Sequence, residues 1–190
     1  MTALDGLLIL IGLVVIIMCT MDGVLRAVVM LVSFYLFTTA TGLLTLATEA
    51  IRGVAIALVS VVGGRVPSLI MVQTIVFAVL TVPLFVGSYF IGKMIFKETS
   101  LPKLQVLDNI LGAVVGIVLA VLIMALIYNT WGVAVSVQWS NAQAWRSMRM
   151  AYFASFLRPY MREVLVSYQP LLVMFRFSGL GYPPFFVLQR

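Results

Sequence analysis

Residues 27–48 run for twenty-two positions without an Asp, Glu, Lys or Arg and are filled mainly by Leu, Val, Phe and Thr. A helix of that length crosses the roughly 30 Å of hydrocarbon in a bilayer, and a soluble fold would have to give the same stretch a polar surface that it does not possess. A second uncharged run, 68–92, has twenty-five residues, and a third begins after Asp108 and reads as helix to about Tyr128. Each such run is read as a membrane-spanning helix. The whole chain agrees with this: 63% of its residues are hydrophobic and 9% are charged, against about a quarter charged in a soluble domain. The expected fold is an all-α polytopic membrane protein with about four transmembrane helices, an interfacial or re-entrant helix and a C-terminal amphipathic helix.

The remaining crossing is the first. Residues 7–21 lie between Asp5 and Asp22 and are near the shortest run that spans, so thinning of the bilayer is expected around them. The absence of Lys or Arg ahead of this run argues for a retained helix over a cleaved signal peptide, and Met18 before Cys19 argues against lipidation. Asp22-Gly23-Val24-Leu25-Arg26 then turns the chain into an antiparallel hairpin. Between the second and third crossings, residues 49–65 have an uncharged centre too short to span and end in Gly63-Gly64-Arg65-Val66-Pro67, the pattern of an interfacial or re-entrant helix. Pro83 removes a backbone donor inside the third crossing and predicts a kink there. A polar linker, 93–103, precedes the fourth helix, which carries Gly112, Gly116 and Ala120 at intervals of four, a stripe that lets a neighbouring helix approach closely.

These features divide the chain into a four-helix membrane domain, 1–131, and a surface region, 132–190. In the latter, residues 144–168 alternate apolar and basic positions at helical spacing. Met150, Phe153, Phe156, Leu157, Tyr160 and Val164 are expected on the membrane face, with a break at Pro159. Arg146, Arg149, Arg158 and Arg162 are expected to meet anionic headgroups or a partner protein, and Trp131, Trp139 and Trp145 suit the headgroup region. The apolar, Gly- and Pro-interrupted segment 170–190 is expected to lie against the membrane or another subunit.

In this order, the features resemble the colicin V production protein (CvpA) family of small bacterial inner-membrane proteins, over roughly residues 3–165. The residues that carry the resemblance are Leu4-Asp5, Gly23-Val24-Leu25-Arg26, Asp108-Asn109-Ile110-Leu111-Gly112 with Gly116, and Trp139-Ser140. The family pattern has Arg-Gly in the first hairpin and again inside the fourth helix, where this chain has Asp22-Gly23 and Leu119-Ala120. The resemblance implies a role in colicin V production or secretion, or in envelope homeostasis.

Catalysis near neutral pH needs groups that exchange protons or attack; the chain has no His, its single Cys19 lies in an apolar run and its six carboxylates are scattered. No enzyme activity, metal or cofactor is expected. Asp108 reads first as a cap on its own helix and second as a partner of Arg26, and Asp22 and Arg26 read as a local pair one turn apart. The net charge of +6 points to anionic lipid, since the tail arginines are interleaved with aromatic residues beside a membrane helix, which disfavours nucleic acid. Lys and Arg counts favour N and C termini in the cytoplasm. Two other classes stay open: an accessory subunit of a larger respiratory or photosynthetic complex, docking through 170–190, and a small channel or transporter built around Pro83 and the 49–65 segment.

Overall fold

The computed structural model describes residues 2–46, 53, 69–95, 105–137, 142–173, 175 and 182–187. Three helices are long and apolar enough to cross a membrane: α1 (Ala3–Leu46), α2 (Leu69–Ile95) and α3 (Gln105–Ser136). Two shorter helices follow, α4 (Ala142–Phe153) and α5 (Arg158–Tyr168), and then short 3-10 turns at Gln169–Leu171 and Pro184–Phe186. The expected segment at 49–65, most of the linker 93–103 and Trp139 lie outside the described residues.

Helix α1 is two limbs joined at one residue. Gly23 has φ +79° and ψ 172°, a backbone conformation essentially reserved for glycine. The contacts on either side establish that the chain doubles back there. Along the first limb (3–22), Gly12 faces Met124, Cys19 faces Gly116 and Gly23 meets Asp108, so this limb runs antiparallel to α3. Along the second limb (24–46), Gly92 lies against Val29, Phe85 packs edge-on against Phe34, the Thr81 and Thr41 hydroxyls share a 2.8 Å hydrogen bond, and Gln73 donates to the Thr45 carbonyl at 3.2 Å. That limb is therefore antiparallel to α2. With about twenty residues each, the two limbs rise roughly 30 Å, so the three continuous helices make four antiparallel crossings.

Polarity is distributed for lipid. Large aliphatic side chains face outward, among them Leu10 (60% exposed), Val79 (62%) and Val106 (75%), while Asp5, Thr38, Thr45, Gln73 and Asn129 are buried inside. The hydrocarbon solvates the aliphatic belt, and the bundle interior supplies the hydrogen bonds that hydrocarbon cannot.

The boundaries differ from the expected ones for identifiable reasons. The first limb starts at Ala3, because the carboxylate of Asp5 turns back to Thr2 in a capping arrangement: Thr2 N–H and Oγ1 donate to it at 2.6 and 2.8 Å, and Asp5 N–H donates to Thr2 Oγ1 at 3.3 Å. Helix α3 continues past Tyr128 to Ser136, since Thr130 donates to its own helix at Leu126 O and Asn129 finds acceptors in the C-terminal segment. The break between α4 and α5 falls at residues 154–157, ahead of Pro159, which sits in the first turn of α5 where its missing N–H costs nothing.

The surface helices pack on the bundle through a face other than the one expected against the membrane. Met150, Phe153, Phe156 and Tyr160 are exposed, and the buried side chains are Tyr152, Met161, Leu165 and Tyr168. The chain after α5 does not stay at the periphery: Leu172, Phe175, Phe185 and Phe186 are at most 1% exposed and join the same core as Phe34, Phe77 and Ile123. Its described aromatic rings fill the chain's own bundle because they find partners there, with Phe185 stacked on Phe77 at 4.1 Å between centroids.

Replacing Gly23 by Ala should cost at least the roughly 1–3 kcal/mol of that backbone conformation, and the new Cβ would lie 2.3 Å from Asp108 Oδ2. Cys19, the single cysteine and fully buried, reports the loss directly: in a thermal ramp in detergent with a thiol-reactive dye, Gly23→Ala is expected to label several degrees below wild type.

Candidate functional site

Two joints hold the bundle, one at each end, and most of the residues singled out from the sequence belong to one of them. The first is the turn at Gly23. Asp108, 4% exposed, accepts the Val24 N–H at Oδ1 with a distance of 3.0 Å. It thus caps the second limb of α1, a helix eighty-four residues earlier in the chain, through an amide that has no intrahelical acceptor. Arg26, the alternative partner for Asp108, forms its ion pair with Asp22 one turn back, Nη1 to Oδ1 at 3.1 Å.

Gly112 and Gly116 place α3 against the same turn. A Cβ on Gly112 would lie 2.5 Å from the Cys19 carbonyl oxygen, and one on Gly116 would lie 2.7 Å from Cys19 Cβ. Such spacing lets two backbones touch and gain dispersion contacts that lipid would otherwise take. Ala120 and Leu119, one turn on, are completely buried.

The second joint gathers the start of the first limb, the break between α4 and α5 and the described part of the C-terminal segment. The fully buried Asp5 accepts, at its other carboxylate oxygen, the hydroxyl of Ser155 in the break between α4 and α5. Tyr128 of α3 donates to the Tyr152 carbonyl at 3.0 Å, and the two rings stack 4.6 Å apart. The segment after α5 then descends along the second limb. Tyr168 bonds Thr38 at 3.3 Å, and Tyr35 donates to the Leu171 carbonyl at 2.8 Å. Asn129 donates its amide to the carbonyls of Phe185 and Val187, and Gln169 donates to that of Phe186 at 2.6 Å. Irregular backbone is tolerated at this depth only when its carbonyls are answered by protein, and Tyr35, Asn129 and Gln169 answer them.

Asp5, Tyr35 and Asn129 were not among the site residues read from the sequence. The signals that point to them are the Thr2-x-x-Asp5 capping pattern and a carboxamide in the middle of a long apolar helix.

The tail arginines sit on the outer side of the second joint. Arg149 lies over the rings of Trp145 (4.9 Å) and Phe153 (5.6 Å), and Arg158 over Phe153 (4.8 Å) and Tyr152 (6.0 Å). Arg146 and Arg162 are exposed. Trp145 donates to the Val135 carbonyl at 3.0 Å, which pins α4 across the end of α3. The result is a fixed aromatic platform carrying guanidinium groups, suited to binding phosphate or carboxylate. Among the described residues, most polar side chains of the two joints are spent on caps and carbonyls, while Asp22 Oδ2 is buried without a hydrogen-bond partner.

Asp108→Ala should lower stability by about 1–3 kcal/mol by leaving the Val24 amide unanswered, whereas Asp108→Asn, which keeps an acceptor oxygen, should retain most of it. Equal losses from both, measured by Cys19 labelling, would mean that the charge matters and the cap does not. Asn129→Leu should loosen the C-terminal segment, which contains Arg176, so that trypsin cuts it about threefold faster or more, the equivalent of one interhelical hydrogen bond of about 0.6 kcal/mol. An unchanged cleavage rate would remove Asn129 from that role. No family model, curated protein or solved structure matches the chain.

Proposed function

We propose that this chain is a non-catalytic membrane protein of the colicin V production type, seated in the bacterial inner membrane with both termini in the cytoplasm. Its role is in colicin V production or secretion, or in envelope homeostasis, exercised through helix packing and a membrane-bound amphipathic tail. The observation that carries this reading is where the resembling residues lie. Leu4 and Asp5 belong to the second joint, while Gly23, Val24, Asp108, Gly112 and Gly116 meet in the first, through the Asp108–Val24 bond and the close approach of α3 to Cys19 and Gly23. Gly23 and Val24 thus meet Asp108 and Gly112, far away in sequence, in one set of contacts that Gly116 continues against Cys19, while Leu4 and Asp5 lie at the other end of the bundle.

Against the accessory-subunit alternative, Phe175, Phe185 and Phe186, in the described part of 170–190, are buried in the chain's own bundle. The channel alternative gains no polar path from the described interior, whose Thr41, Thr81, Gln73 and Asn129 side chains are engaged with one another or with backbone.

The chain should restore colicin V secretion, read as the diameter of a growth-inhibition halo, to a colicin V strain lacking its own colicin V production protein. Gly112→Leu, which drives a side chain into the Cys19 backbone, should not restore it. A chain inserted at normal amounts that gives no halo, or that purifies stoichiometrically within one large assembly, would replace this reading with the accessory-subunit one.

A further inference from the structure

Helices α2 and α3 do not close on each other along their whole length. Between them lies a groove of about 290 Å³, open at the side toward lipid and walled by Phe77, Thr81 and Phe85 of α2 and by Ile123, Ile127 and Trp131 of α3. Its lining is almost wholly apolar. The few polar side chains on it are already engaged: Thr81 with Thr41 at 2.8 Å, Thr130 with the Leu126 carbonyl at 2.7 Å, and Trp131 with the Met148 carbonyl at 3.4 Å.

These facts restrict what fills the space. Water needs two to four polar partners and finds none free among the described side chains of the lining, and a polar solute would strip off its hydration for nothing in return. Left empty, the groove would forfeit dispersion contacts along six or more side chains. A hydrocarbon chain satisfies the lining, and the bilayer beside it is made of hydrocarbon chains. Fit to the groove alone gives little selectivity, because one acyl chain packs much like another.

Selectivity comes from the groove's upper end. Trp131 there donates to Met148, in the turn of α4 that carries the exposed Arg146 and the Arg149 guanidinium held over Trp145. A lipid whose chain lies along Ile123, Ile127 and Trp131 brings its phosphate to the level of α4. We propose that the α2–α3 groove retains an anionic phospholipid, with an acyl chain between the helices and the headgroup on Arg146 and Arg149. This rests on the placement of α4 in the headgroup region and not on a part in colicin V secretion, so a failed complementation leaves it standing.

The test uses the full chain in vesicles of phosphatidylglycerol or phosphatidylcholine brominated on the acyl chain, since bromine quenches tryptophan on contact. The contribution of Trp131 is obtained by difference from Trp131→Phe. Trp131 should be quenched by both lipids, with apparent association about fivefold or more stronger for phosphatidylglycerol, the preference that one arginine near an anionic surface supplies. The double variant Arg146→Gln/Arg149→Gln, confined to exposed positions, should abolish that preference, and Ala78→Phe, which fills the groove from α2, should reduce quenching by either lipid. Equal association of the two lipids would mean passing contact with bulk lipid and would overturn the proposal. So would a Trp131 that neither lipid quenches, which would mean that a helix of a second copy or of another protein closes the groove, and so would a preference that survives loss of both arginines.

Discussion

Everything in this structure depends on answering backbone polar groups where the chain stops being helical in a medium that offers no hydrogen bonds. Among the described residues the chain does so above all at two places. At Gly23 the reversal exposes the Val24 amide, and Asp108 takes it. In the C-terminal segment the carbonyls of Leu171, Phe185, Phe186 and Val187 would be orphaned, and Tyr35, Gln169 and Asn129 take those. The first joint allows α1 to be a hairpin with a one-residue turn. The second allows an irregular, aromatic segment to serve as the wedge of the bundle.

Because lipid tails are as apolar as leucine, burial of aliphatic surface contributes little to holding these helices together. What remains is dispersion at close contact and hydrogen bonding between elements. Both are concentrated rather than spread. Dispersion is greatest where Gly112 and Gly116 bring α3 onto the backbone of the first limb, and where Phe185 and Phe186 lie between Gly42, Phe77 and Asn129. Along the rest of α2 the contact is looser, which leaves the side groove and a helix much of whose surface faces lipid.

This economy bears on function. The carboxylates of Asp5 and Asp108, which in a polar site would be free to bind or to move protons, are occupied by two hydroxyls and by backbone amides. The groups left facing outward are the arginines of the α4–α5 platform and the aliphatic walls around the groove.

The sequence by itself determined the solvent, the secondary structure and much of the span layout. Uncharged runs of twenty residues and more leave no other outcome, and the Gly23 hairpin, the Asp22–Arg26 pair and the Gly112, Gly116, Ala120 stripe are local patterns that can be read without a partner. It did not disclose what those patterns touch. Asp108 looks like the cap of its own helix because capping is a local rule, yet its acceptor oxygen serves an amide eighty-four residues away, a choice that exists only once the hairpin turn is packed beside it. Likewise the inward face of α4 and α5 and the burial of Phe185 and Phe186 were decided by tertiary structure. Hydrophobicity alone does not distinguish lipid from the interior of a bundle, and only the placement of Phe77, Tyr35 and Asn129 makes the interior the better solvent for that segment.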